Sequence, residues 1–280
     1  MNPGSAVLYV PADNERAIAK APTTDATALI YDLEDAVGPT AKANARETLR
    51  RVWENGSRRV RAIRINGIDT PHFTEDLLLA RKLMPDAIVL PKVESATDLT
   101  TLGTALAEAD APRTLRIWAM IETPLGVLNV GEIARFVGRL DGLILGSNDL
   151  ATALGVFGSG MDAHLALWRP RIVLAARAGG VFALDGVTNE LRDSERIERD
   201  ARNGAALGFD GKTLIHPAQI APTLAAYRPS GDRIAEARAI VAAFGIVGED
   251  VGVTTVGDRL VERLHVAAAR RDLAKIGEPE

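Results

Sequence analysis

Short apolar runs separated by amphipathic stretches set the pattern of this chain. Ala6 to Pro11 (AVLYVP) reads as a strand, with Asn14 placed to cap a helix over Glu15 to Ala21. Ala28 to Val37 (ALIYDLEDAV) reads as a second strand ending in Asp32, Glu34 and Asp35, broken by Gly38-Pro39. Further strands are predicted at Arg59 to Asn66, Ala87 to Pro91, Arg116 to Glu122, Leu143 to Leu150, Val181 to Val187 and Thr213 to Ile215. Helical periodicity lies between them, as in Ala41 to Trp53, Ser95 to Glu108 and Ser194 to Leu207. The polar residues that mark the strand ends are Asp35, Asn66, Glu94, Glu122, Asp149, Asn189 and His216, and they recur 27 to 31 residues apart with one gap of 40. With the first strand they make eight strand–helix units. This pattern predicts a closed (β/α)8 TIM barrel, with an open doubly wound sheet as the alternative.

The barrel is expected to fill residues 1–228, followed at 229–280 by a small C-terminal helical appendage. Its parts are an extra helix (Arg233 to Phe244), a Gly-rich linker (Gly245 to Gly257) and a charged terminal helix (Asp258 to Leu273).

The chemistry is expected where the strands end. In RIWAMIETP, Pro124 cannot donate a ladder hydrogen bond and biases Thr123 away from helix, so the strand stops with Glu122 at its carboxyl end. LILGSNDL repeats the design with Asp149, 27 residues later. Parallel neighbouring strands would bring the two acids to about 5 Å, close enough to share one hard cation. Magnesium suits such a pair because it takes few carboxylates and keeps several waters, leaving room for a chelating 2-oxo acid. Arg64, at another strand end, has the planar fork to hold that acid's carboxylate. The alternatives are structural: Glu122 as a helix cap, Asp149 as a loop ligand, and Arg64 in a salt bridge to the Asp32, Glu34 and Asp35 group.

Composition narrows the class further. A net charge of −4, a pI of about 5.7 and 4% aromatic residues provide neither a phosphate track nor a stacking platform, so no nucleic-acid partner is expected. No uninterrupted apolar segment is long enough for a membrane span, and no signal-like start is present, so a cytoplasmic protein is expected. The absence of cysteine removes thiolate catalysis and Cys-bound metals. Gly208 to Thr213 resembles the end of a phosphate loop, but it precedes a strand and has Ala206 where that motif needs glycine. His216 alone reads more readily as a packed histidine than as a ligand. Arg16 and Lys20, a turn apart near Tyr9, read as solvated charge or as phosphate contacts.

The segments LYVPADNERAIAKA, ALIYDLEDAV, RAIRING, AIVLPKVES, MIETPLGV, GSNDLA and GKTLIHPAQI, taken in order, resemble the citrate lyase β-subunit-like proteins, which include malyl-CoA lyases and related acyl-CoA enzymes. The resemblance implies a Mg2+-dependent carbon–carbon lyase joining or splitting an acyl thioester enolate and oxaloacetate or another 2-oxo acid. Glu122 and Asp149 match the family's metal ligands, with Glu122 also at the substrate, and Arg64 matches its carboxylate-binding arginine. Tyr9, Arg16, Lys20, Ile215 and His216 match contacts to CoA or to a carrier-protein thioester. Asp35 stands beside the metal waters. Several relatives supply a catalytic aspartate from the tail of an adjacent subunit, and here Glu262 holds that position. A homotrimer is implied. The alternatives are a thioesterase, a metal-dependent aldolase acting on free 2-oxo acids, and a 2-oxo-acid-binding subunit that needs a partner for catalysis.

Overall fold

A computed structural model describes residues 2–53, 59–158, 160–247 and 251–278. The chain divides into two compact units, residues 1–226 and 227–280.

In the first unit eight parallel strands close into a barrel in sequence order. They are β1 (Ala6–Pro11), β2 (Ala28–Asp32), β3 (Val60–Arg64), β4 (Ala87–Leu90), β5 (Arg116–Ile121), β6 (Leu140–Leu145), β7 (Phe182–Asp185) and β8 (Gly211–Leu214), with Val7 opposite Thr213 at the closure. Around them run α1 (Glu15–Lys20), α2 (Lys42–Val52), α3 (Phe73–Leu83), α4 (Ala96–Glu108), α5 (Pro124–Ala134), α6 (Ser147–Leu154), α7 (Gly160–Gly179), α8 (Ser194–Ala206) and α9 (Ile220–Tyr227), whose last residue falls in the second unit. The closed barrel replaces the open-sheet alternative. The gap of 40 residues is filled by α6 and the 20-residue α7 together.

Side chains alternate across each strand, so every second residue enters the barrel. Val7, Ala28, Ile30, Ala62, Val89, Trp118, Ile144, Phe182 and Leu184 form this interior. Trp118 and Phe182 meet edge to face at 5.3 Å. Gly142 makes that contact possible, because a Cβ there would lie 2.1 Å from the Phe182 ring. The next positions up the same stripes are Tyr9, Asp32, Arg64 and Met120, so the interior turns polar toward the carboxyl ends of the strands.

The outward stripe of β7 and β8 carries an ionic cluster against the helices. Lys212 is fully buried, with its Nζ 3.1 Å from Asp185 Oδ2 and 2.9 Å from Asp200 Oδ2. Arg169 of α7 reaches the same two acids at 2.9 and 2.7 Å. The Gly-Lys-Thr segment thus serves the barrel wall.

Several predicted boundaries shift. β2 stops at Asp32 because the Asp32 carboxylate accepts the N–H groups of Glu34 (2.8 Å) and Ala36 (3.1 Å), which folds the acid cluster into a loop. Asp149 lies in the first turn of α6, since β6 ends four residues earlier.

In the second unit the predicted linker and terminal helix are largely replaced. Helix α10 (Gly231–Val247) takes in Gly245, and residues 248–250 of the predicted linker lie outside the described residues. The β-branched run Val253–Val256 (β9) pairs antiparallel with β10 (Arg259–Glu262). Gly257, at φ +58, opens the two-residue turn between them. Of the expected terminal helix, the stretch from Leu264 is helical as α11 (Leu264–Ala274), and Ala237, Ile240, Phe244, Val261, Ala269 and Leu273 form the unit's core.

Lys212→Met is expected to destabilise the protein by about 3 kcal/mol in urea unfolding, because it leaves buried Asp185 and half-buried Asp200 with one cation. An unchanged midpoint would show the cluster to be energetically neutral.

Candidate active site

The site begins with one cross-strand pair. Asp32 and Arg64 are register partners on β2 and β3. Arg64 Nε and Nη2 donate to the two Asp32 oxygens at 2.8 and 2.5 Å. Glu34 Oε2 lies 3.1 Å and Asp35 Oδ2 3.7 Å from Arg64 Nη1. The guanidinium carbon stands 4.9 Å from the centre of the Tyr9 ring, giving the ion an aromatic floor. Burial opposes the Arg64 charge, but Asp32 together with Tyr9 and Glu34 outweighs it and holds the group firmly protonated. Behind the loop, buried Lys42 donates to the carbonyls of Leu33 (2.9 Å) and Glu34 (2.7 Å).

Glu122 follows β5 and is buried. It does not cap α5, since Thr123 does so by accepting the Gly126 N–H. Its Oε1 instead accepts the Lys92 N–H at 2.9 Å. Gly146 leaves the space for it, as a Cβ there would come within 2.4 Å of the Glu122 Cβ. Burial pushes the Glu122 carboxyl up to about 8, and the neighbouring charges of Asp149 and Glu34 push the same way. Lys92, half exposed, lies 2.6 Å from Glu34 Oε1, 3.9 Å from Asp149 Oδ2 and 4.0 Å from Asp35 Oδ1.

Five carboxyl groups (Asp32, Glu34, Asp35, Glu122 and Asp149) therefore face two cations, Arg64 and Lys92. Among the described residues no three His, Cys, Asp or Glu side chains gather into a complete metal cage. A hard cation here would take its protein ligands from a pair, Glu122 and Asp149, with water completing the shell, which is the habit of magnesium. The raised Glu122 carboxyl fits this reading, because a divalent charge would offset the burial and the repulsion that keep it protonated.

The predicted substrate contacts separate in space. Tyr9 points into the barrel beneath Arg64, and burial raises its phenol above the usual range, so it stays neutral. Arg16 and Lys20 are exposed on α1. Ile215 and His216 are exposed just past β8. His216 is thus not packed; its Nδ1 accepts the Ala218 N–H and caps the turn Pro217–Gln219. Glu262 is exposed on β10 of the second unit. Lys92 and Met120 escaped the sequence reading as site residues. Met120 Sδ lies 3.7 Å from Arg64 Nη1 and 4.0 Å from the Tyr9 hydroxyl. The alternation that sends Glu122 inward sends Met120 inward too and was the available signal. A cavity of about 1440 Å³ borders this rim beside α6 and α8, lined by Asn148, Met161, Asn189 and Arg196 among others, but neither Arg64 nor Glu122 faces it.

A closed parallel barrel with an acid and arginine cluster at the carboxyl ends of its strands has the architecture of a TIM-barrel enzyme. Residues 5–217 match the HpcH/HpaI aldolase/citrate lyase family, and the chain belongs to that family. It is 40% identical over 277 residues to a (3S)-malyl-CoA thioesterase of Cereibacter sphaeroides, covering 98% of this chain and 95% of that protein. It is also similar to CitE of Mycobacterium tuberculosis solved with magnesium, acetoacetate and coenzyme A (TM-score 0.80, 32% identity, 99% of this chain and 100% of that one). A citrate lyase β subunit of M. tuberculosis complexed with oxaloacetate and magnesium superposes with a TM-score of 0.71 at 34% identity, covering 82% of this chain and 100% of that one. Among the described residues no helix is long and apolar enough to cross a membrane.

The Glu122 proton gives a stability test. The folded protein keeps a proton that the unfolded chain releases above 4.5, so this contribution is complete below 4.5 and is lost as pH rises through about 8. In metal-free buffer the wild-type Tm is expected to fall across that window relative to Glu122→Gln. Parallel Tm curves would place the proton elsewhere.

Proposed function

We infer that the protein is a magnesium-dependent carbon–carbon lyase acting on a malyl- or citryl-type acyl thioester. The observation that carries this reading is the convergence on one barrel mouth of a clamped arginine, Arg64, and two neighbouring carboxyl groups, Glu122 and Asp149. Magnesium held by Glu122 and Asp149 would supply Lewis acidity to the substrate's oxygens. Arg64, fixed by Asp32, would hold the substrate carboxylate as a two-pronged donor and stabilise charge on the departing 2-oxo acid. A base takes the hydroxyl proton and the C–C bond breaks. The electron pair passes to the thioester fragment as an enolate, which is then protonated. Asp35, beside Arg64 and Lys92, and Glu262, in the place of the family's tail aspartate, are the candidate proton carriers. Arg16, Lys20, Ile215 and His216 offer an exposed surface for the thioester's carrier, with Tyr9 inside the mouth.

The identity with a malyl-CoA thioesterase favours a second reading, in which water attacks the thioester carbonyl and the C–S bond breaks. The two reactions leave different products. Lysis releases a 2-oxo acid and retains the thioester, whereas hydrolysis releases a hydroxy acid and a free thiol.

Malyl-CoA and citryl-CoA should be supplied with and without magnesium, and the oxo acid and thiol assayed separately. Magnesium-dependent oxo-acid release is expected, lowered about a hundredfold or more in Arg64→Ala. Free thiol without oxo acid would establish hydrolysis instead. Loss of activity in Glu262→Ala but not in Asp35→Asn would assign the proton transfer to the tail.

A further inference from the structure

The two cations at the barrel mouth are held in opposite ways. Arg64 is buried, gripped by both oxygens of Asp32 and stacked on Tyr9. Its guanidinium cannot leave without stranding a buried carboxylate. Lys92 is fixed at its backbone, while its tip reaches the acids on a flexible stem. Its φ of +54 is strained for a residue with a side chain, and its N–H is held by Glu122 at 2.9 Å. The ammonium lies at the end of a flexible four-carbon stem whose side chain is 49% exposed, so it can swing into water while that N–H stays in place. It now stands 2.6 Å from Glu34, 3.9 Å from Asp149 and 4.0 Å from Asp35. A divalent cation held by Asp149 would be repelled by an ammonium this near.

We propose that Lys92 is a displaceable counter-cation: its ammonium neutralises the acid cluster of the metal-free protein and withdraws to solvent when Glu122 and Asp149 take a divalent cation. This rests on the magnesium reading above. The device has two consequences. The metal-free site avoids a nearly uncompensated set of carboxylates, and the cation must outcompete a resident positive charge. Metal affinity is thereby held below what the carboxylates alone would give. Lys92 is a positioning residue here, since it acts on the carboxylates and not on the reacting atoms.

Magnesium should be titrated calorimetrically into the full chain, without substrate, for the wild type and for Lys92→Met, which keeps the stem and removes the charge. The variant is expected to bind magnesium about tenfold more tightly. Its metal-free Tm should lie below that of the wild type, with a larger recovery on adding magnesium. Equal or weaker binding by the variant, beside measurable binding by the wild type, would overturn the proposal and leave the magnesium reading standing. No binding by the wild type would remove both. A second measurement needs no variant. Acetylation of Lys92 by an amine reagent, followed by mass spectrometry, should speed up when magnesium is added. Unchanged or slower labelling would also overturn the proposal.

Discussion

The constraint on which the rest of this structure depends is an excess of negative charge at the mouth of the barrel. Carboxyl groups crowded together and partly shielded from water repel one another strongly, and they stay ionised only where a cation or a set of N–H donors compensates. Asp32 has both, being bound by Arg64 and by two backbone N–H groups. Glu122 has a single N–H from Lys92, and burial, reinforced by the like charge of Asp149, pushes its carboxyl up. The site therefore contains one carboxylate that is satisfied and orients an arginine, and one that lacks a cation. Under the proposed function, that asymmetry would separate the positioning of substrate from the binding of metal.

The scaffold keeps the asymmetry in place. Asp32 and Arg64 pair because β2 and β3 hold them in register, so the clamp inherits the rigidity of the barrel wall. Gly146 and Gly142 perform related tasks at two depths, one clearing space for the Glu122 side chain and the other for the Phe182 ring. On the far side of the wall, Lys212 and Arg169 tie β7 and β8 to α7 and α8 through Asp185 and Asp200. Charge is thus used in two ways: closed on itself beneath the helices, and left open at the rim.

Much of this was legible in the sequence, and what was missed has physical reasons. The barrel could be read because each strand end carries a breaker and a polar residue at nearly constant spacing. Glu122 could be placed because Pro124 fixes where its strand must stop. Asp149 was found in the right place in the chain but in the wrong element. Its flanking Leu145 and Leu150 are both apolar and buried, and periodicity cannot tell a buried strand from the first turn of a buried helix. Lys92 gave no local signal, because a positive φ at a non-glycine residue is imposed by its surroundings and not by its own chemistry. Lys212 was obscured for a similar reason: its partners Asp185 and Asp200 are remote in sequence. The Glu262 hairpin was taken for linker and helix because Gly-rich, charged segments have no dominant period until a turn such as Gly257-Asp258 brings two short strands together.

Under the proposed function, the choice between lysis and hydrolysis turns on what reaches the substrate, since the proposed metal pair and arginine would serve both. C–C cleavage asks for a base at the hydroxyl group and a site that delays water until the enolate is protonated. Hydrolysis asks for water at the thioester carbonyl. Arg64, Asp32 and Glu122 are buried, whereas Asp35, Lys92 and Asp149 remain partly open to solvent. The Arg64 end of the cluster is therefore dry and the Lys92 side is wet. If Glu262 carries the proton as proposed, its extra methylene bears on reaction type, because proton transfer depends on where the carboxylate stands relative to the reacting atoms.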